Sequence, residues 1–290
     1  MMEVSFAGNK DKTAVRSLWD ICFGDPPEYT DVFFDHLYKP ESTVVARYDG
    51  QIIGSLQLFP HTFCMEGQEI PGMYIGGVDV SPQYRKRGVA SRMIEFAEKH
   101  MCETGIAVSF LVPVTAAVYR SMGYSGLSWL SEISGPSSAL SPFALTDTSL
   151  IPAAEPPVKA YTCFTKQFSL FLSRDEKRFT DEIFPLCDAE CYVLDNDAGY
   201  ILFSLKNGVL QGYECAWRNE EAFRRILGFI LKQKEAESFC LRLPADGTAR
   251  KLLCDTSVFE NRRLHAMAKK LRPVNFTDSM ENYINMVGWF

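Results

Sequence analysis

The sequence lacks most of the short signatures that announce a chemistry. There is no CxxC pair, and the four histidines (His36, His61, His100, His265) do not cluster with the nine cysteines (Cys22, Cys64, Cys102, Cys163, Cys187, Cys191, Cys215, Cys240, Cys254). A zinc site and a dithiol redox centre are thereby excluded as readings, and no metal is expected. An odd cysteine count, with several thiols inside apolar runs such as Ser238-Phe239-Cys240-Leu241, reads as reduced thiols in a cytoplasmic protein. GxxxxGK[ST] and GxGxxG are both absent, which removes the P-loop and dinucleotide-binding readings; Gly76-Gly77 lies inside a strand-like run. No apolar run approaches about 18 residues, and Met-Met-Glu-Val-Ser-Phe lacks the pattern of a signal peptide, so no membrane association is expected. Basic blocks are missing too. The formal charge is -6, a poor match to nucleic acid.

What is present is an ordinary globular composition, 47% hydrophobic and 23% charged, over 290 residues, enough for two domains. Residues 11–38 read as helix, broken near Gly24-Asp25-Pro26-Pro27. Residues 43–48 and 51–59 read as strands around an Asp49-Gly50 turn, and a further strand runs from Met73 to Val80. Val89, Met93, Ile94, Ala97 and Met101 recur every three or four positions, which predicts a helix over about 88–102. A short buried strand over 106–112 and a helical turn over 115–122 follow. Five prolines between 135 and 157 mark a connection. Beyond it the plan repeats, with strands at 190–194, 200–205 and 209–217, a helix over 220–231 and a strand over 238–243. The expected division is 1–135, a linker 136–157, and 158–290.

The stretch richest in chemistry is Val78-Asp79-Val80-Ser81-Pro82-Gln83-Tyr84-Arg85-Lys86-Arg87-Gly88-Val89-Ala90. A strand ends, three basic residues follow, and a glycine opens an amphipathic helix. The first turn of a helix has N–H groups without internal partners, and its dipole adds partial positive charge, so a diphosphate fits there. Gly88 leaves the backbone open to phosphate oxygens. Main-chain groups of Val78 and Val80 are available to an extended, amide-containing arm such as pantetheine. Diphosphate and pantetheine together describe coenzyme A. A solvated basic turn capping a helix is the bland reading of the same residues.

Arg85-Lys86-Arg87-Gly88-Val89-Ala90 resembles the [RQ]-x-x-G-x-[GA] cofactor motif of the GNAT superfamily of N-acetyltransferases. Leu111-Val112-Pro113 and Tyr119-Arg120-Ser121-Met122-Gly123-Tyr124 resemble its strand followed by a Y-x-x-x-G-[FY] helix end, and the likeness covers roughly residues 40–125. The resemblance implies a mixed α/β fold, central sheets flanked by helices, and acetyl-CoA as cosubstrate, held by Val78, Asp79, Val80, Arg85, Lys86, Arg87, Gly88, Val89 and Ala90. It implies direct transfer of acetyl to a primary amine, small-molecule or peptide, with Tyr119 as the acid that meets the departing thiolate. The tandem layout resembles the enhanced-intracellular-survival branch, without the sterol-carrier-like domain that members of that branch often add. In that branch the terminal carboxylate enters the active site, which makes Phe290 a candidate base; Asp79 or a water chain are the others. A non-catalytic acyl-CoA binding module is the alternative, sharing the loop but not needing Tyr119.

The second copy is expected to be degenerate. Its counterpart of the phosphate loop reads Trp217-Arg218-Asn219-Glu220-Glu221, with a capping Asn219, two carboxylates in the first turn and no glycine. Acceptor recognition is assigned to residues 25–38, where Asp25, Glu28, Asp31 and Asp35 mix with Tyr29, Phe33, Phe34 and Tyr38; an amphipathic helix with a solvated acidic face fits the same pattern.

Overall fold

The computed structural model describes residues 1–144, 149–253, 257–276, 279 and 281–287. They form two compact units that are each discontinuous in sequence. The first comprises Met1–Ser125 with Met267–Phe276; the second comprises Gly126–Ala266 with the described residues of 277–288.

In the first unit, β1 (Met2–Phe6), β2 (Thr43–Tyr48), β3 (Gln51–Met65) and β4 (Gln68–Val80) pair antiparallel in that order. Asp49 and Gly50, and again Glu66 and Gly67, take left-handed backbone angles, the geometry that two-residue hairpin turns require. β5 (Val108–Leu111) lies parallel to β4, and Met267–Lys270 pairs antiparallel with β5. The first unit thus takes its last strand from far along the chain. Helix α1 (Lys12–Phe23) ends on left-handed Gly24, and α2 (Pro27–Val32) starts with Pro27 at its first position. Helix α3 (Val89–Glu103) buries Val89, Met93, Ile94, Ala97 and Met101, the face read from the sequence. Burial of each larger side chain there contributes roughly 1.5–3 kcal/mol. Gly54 permits this packing, since a Cβ on it would stand 3.0 Å from Met93 and 3.1 Å from Val89. α4 (Ala116–Arg120) follows β5.

The second unit has strand order β6 (Ser125–Pro136), β11 (Ser238–Pro244), β10 (Val209–Trp217), β9 (Gly199–Lys206), β8 (Glu190–Val193), β7 (Ile151–Pro152). β10 and β11 run parallel and the remaining neighbours antiparallel, the plan of the first unit. Helix α5 (Val158–Thr165) and helix α6 (Glu220–Leu231) pack into its core, with Phe223, Ile226, Leu227 and Ile230 buried.

The expected division falls at 135 and 157, whereas the compact units change over after Ser125 and again after Ala266. β6 belongs to the second unit because residues 130–136 register against β11, and Leu140 and Phe143 are buried in that unit's core. Leu140, Phe143 and Leu150 of the proline-rich stretch are therefore packed. Among the described residues no helix is long and apolar enough to cross a membrane, and no group of three or more His, Cys, Asp or Glu is placed to hold a metal ion. The eight described cysteines are free thiols; Cys187 and Cys215 are buried, while Cys102 and Cys163 are exposed.

Candidate functional site

The site begins where two parallel strands part. β4 and β5 are in register at Gly72–Val108, Met73–Ser109 and Tyr74–Phe110, and no further. β4 runs on to Val80, so its last residues present an edge that β5 does not cover. A bulge lies in that free portion. Ser55 faces Asp79 and Gln57 faces Gly76, which leaves Gly77 and Val78 on β4 without register partners on β3. Gly77 has φ +55°, and a Cβ there would fall 2.2 Å from the Trp19 ring, so the indole of α1 and the missing side chain fix the bulge together.

β4 then turns through Ser81, a short 3₁₀ turn over Pro82–Tyr84 and the basic triplet. Lys86 and Gly88 both have positive φ, +61° and +75°. Gly88 is the N-cap of α3, without a side-chain capping hydrogen bond and without an acidic residue in the first turn. A Cβ on Gly88 would meet nothing within 4 Å, so the approach to the helix mouth is open. The first intrahelical bond runs from the Arg92 N–H to the Gly88 carbonyl, which leaves the preceding amides directed outward. These features fit a diphosphate. At the matching position of the second unit, the Asn219 side chain accepts from the Ala222 N–H, and Glu220 and Glu221 occupy the first turn of α6.

The structure refines the roles of single residues. Val80 does not offer its carbonyl freely, because the Arg85 Nε donates to it at 3.0 Å and the Cys22 thiol at 3.5 Å. Arg85 is thus tied back onto the strand end. Asp79 is buried and accepts from the Ser55 N–H at 2.6 Å and the Ser55 hydroxyl at 2.9 Å, so its carboxylate is committed toward β3. The Val89 side chain is buried under α3, leaving its backbone for a ligand. Lys86, Arg87 and Gly88 are exposed. Phe290 lies outside the described residues. Burial raises the Tyr119 pKa, and its hydroxyl has no hydrogen-bond partner in the described residues.

Tyr74, which sequence reasoning passes over as a strand former, stands at the point where the strands part. Burial raises its pKa, with further contributions from Tyr29 and Tyr119. Three of the four acidic residues of 25–38 are engaged by the same unit. Asp25 accepts from the Trp19 Nε1 at 2.8 Å, Asp31 pairs with Arg16, and Asp35 pairs with Lys12 at 3.2 Å. Phe33 and Phe34 are buried. The amphipathic-helix account of this segment describes these contacts.

Desolvation raises the Asp79 pKa from 3.8 to about 7, against the lowering by its two Ser55 hydrogen bonds. Between those values the folded chain holds a proton that the unfolded chain has lost. Stability of the first unit therefore falls as pH rises through about 4 to 7. Asp79→Asn should remove this slope, leaving the variant more stable than wild type at pH 8 by roughly 2–4 kcal/mol. Thermal melts at pH 5 and pH 8 check it; parallel pH dependence in both proteins would contradict it.

Residues 3–126 match the family described as acetyltransferase (GNAT) domain. No curated protein matches the sequence. Among solved structures, a GCN5-related N-acetyltransferase from Anabaena variabilis is 17% identical, with 94% of this chain and 73% of that one covered at a TM-score of 0.76. A protein from Enterococcus faecalis described as a probable N-acyltransferase is 16% identical, covering 93% and 72% at 0.80. Eis1 from Mycobacterium abscessus is 16% identical, covering 93% and 74% at 0.71. At such identities the likeness is one of fold.

Proposed function

We propose, from the acetyltransferase (GNAT) domain that residues 3–126 carry, that the first unit moves an acetyl group from acetyl-coenzyme A to a primary amine by direct attack in a ternary complex. The observation that carries this reading is the parting of β4 and β5 beyond Tyr74 and Phe110 beside an uncapped helix mouth. Acetyl-coenzyme A supplies an activated thioester carbonyl. The α3 amides and the exposed Lys86 and Arg87 bind the diphosphate, and the free edge of β4 orients the pantetheine arm. The bulge at Gly77-Val78 directs a backbone N–H at the carbonyl oxygen, where negative charge develops. Tyr119 keeps its proton at neutral pH because burial disfavours the phenolate, so it donates a hydrogen bond to the departing sulfur. The same burial raises the pKa of a thiol beside it, which keeps the two groups matched.

Calorimetric titration with acetyl-coenzyme A, followed by a thiol-release assay over a panel of amines, tests the reading. One site per chain and amine-dependent release are expected. Two sites would mean that the second unit binds as well. Binding without release under any amine would make the chain an acyl-CoA binding module instead.

A further inference from the structure

The turn that carries Tyr119 is braced by a residue from far along the chain. Gly123 has φ +90°, and the Tyr124 N–H donates back to the Tyr119 carbonyl at 3.1 Å, so residues 119–124 close as one turn. The three atoms nearest to a Cβ placed on Gly123 all belong to Lys269: Cε at 3.4 Å, Cδ at 3.7 Å and Nζ at 3.8 Å. The lysine stem thus lies against the bare backbone of that turn. Its Nζ stands 6.0 Å from the Tyr124 ring centroid and donates to the carboxylate of Glu98, 171 positions away on α3, at 2.6 Å. Glu98 is buried, and Lys269 is its ion-pair partner. On the strand side, Lys269 registers opposite Ser109 of β5, whose Oγ lies 2.6 Å from the Tyr124 hydroxyl. β5, α3, the 119–124 turn and the late strand therefore meet along one lysine side chain.

A charge-assisted hydrogen bond of this kind is short and directional, so it fixes the spacing of the elements it joins. α3 is the helix whose mouth is assigned above to the diphosphate. We infer that Lys269 is a positioning residue for Tyr119: through Gly123 and Glu98 it sets the place of the phenol relative to a coenzyme held at the mouth of α3. The inference rests on the acetyl-transfer reading, in which Tyr119 meets the departing sulfur. It gives the late strand a task besides closing the sheet, because the acid lies within residues 1–125 and its brace within residues 267–276 of the same unit. It also accounts for glycine at position 123, where a side chain would press on the lysine stem.

The test measures thiol release by the full chain, with acetyl-coenzyme A and the amine that the panel ranks first, below the melting temperature of every variant. Lys269→Met should lower kcat by roughly tenfold, as displacement of a catalytic group by a fraction of an ångström predicts, and leave acetyl-coenzyme A affinity within about twofold. Lys269→Arg, which keeps the charge, should recover most of the loss. In a Tyr119→Phe background Lys269→Met should lower kcat no further, since the two residues then act through one hydroxyl. Arg272→Gln is the control. Arg272 ties the same late segment to α3 by donating to the Cys102 carbonyl at 3.1 Å, so its loss should lower the melting temperature and leave kcat as it is. Should Lys269→Met fail to fold, Glu98→Gln, which removes the charge and keeps an acceptor, carries the same comparison. A wild-type kcat in Lys269→Met, or an equal fall in both backgrounds, would overturn the positioning role while the acetyl-transfer reading stands. If wild type releases no thiol with any amine, both fall.

Discussion

Glu214→Ala is expected to destabilise the second unit by about 3–5 kcal/mol, the cost of leaving a buried charge without its partner. Glu214 is fully buried on β10 and receives four side chains: the Arg174 Nη1 at 2.7 Å, the Tyr283 hydroxyl at 2.8 Å, the Asn285 Nδ2 at 3.2 Å and the Tyr200 hydroxyl. Arg174 also donates to the Asn285 carbonyl and lies 4.3 Å from the Tyr161 ring centroid. Removing the carboxylate leaves a buried guanidinium without its counter-charge. Replacing both members, as Arg174→Met with Glu214→Leu, should recover much of the loss, because the desolvation of two charges is then no longer required. Urea denaturation of both variants beside wild type checks this, and a Glu214→Ala midpoint equal to wild type would refute it. The network also bears on why this copy is degenerate. β10 and β11 keep register only to Gly212–Leu241, and a bulge between Gly212 and Glu214 follows, much as in β4. Beyond that point the Asn285 side chain donates to the Tyr213 carbonyl at 3.1 Å. The strand edge that in the first unit stays open to a ligand is here satisfied by the chain's own late residues.

The parts of this architecture legible in the sequence are those fixed by local chemistry. The Asp49-Gly50 turn, the apolar stripe of α3 and the Gly88 helix start each follow from neighbouring residues, and the structure has them in place. The Asn219 cap with its two following glutamates is equally readable. Long-range pairing is not. β1 is five residues long and gains its identity only from β2, and residues 267–270 become the first unit's last strand through registration with β5. The Glu66-Gly67 turn is missed because the strand reading stops at Phe59, six residues short of where β3 ends at Met65. At the site itself, the loop is visible in the sequence and its supports are not. That Trp19 fills the space of a Gly77 side chain, or that Ser55 holds Asp79 inward, depends on elements distant in sequence. Asp31 and Asp35 read as available to a cationic acceptor, but Arg16 and Lys12 on the preceding helix pair with them.

Tyr119→Phe should lower kcat by about 100-fold while leaving the affinity for acetyl-coenzyme A within about twofold, the signature of a donor needed in the transition state and not in the ground state. The hydroxyl has no partner among the described residues, so its removal costs the fold little. The ring's edge contact with Tyr124, at 6.2 Å between centroids, survives in phenylalanine. Tyr124→Phe supplies the contrast. The Tyr124 hydroxyl is buried 2.6 Å from the Ser109 Oγ, and its loss leaves the serine hydroxyl unsatisfied at a cost of about 1–2 kcal/mol. That variant should melt earlier and turn over normally, whereas Tyr119→Phe should melt normally and turn over slowly. The pH profile separates the roles further. Burial raises the Tyr119 pKa above its ordinary value of about 10, so its ionisation should produce no fall in rate between about pH 7 and 10. Stopped-flow measurement of thiol release would show whether the chemical step is the one slowed. An unchanged rate in Tyr119→Phe would remove this hydroxyl from the reaction and leave the backbone N–H groups at the Gly77-Val78 bulge as the principal source of stabilisation.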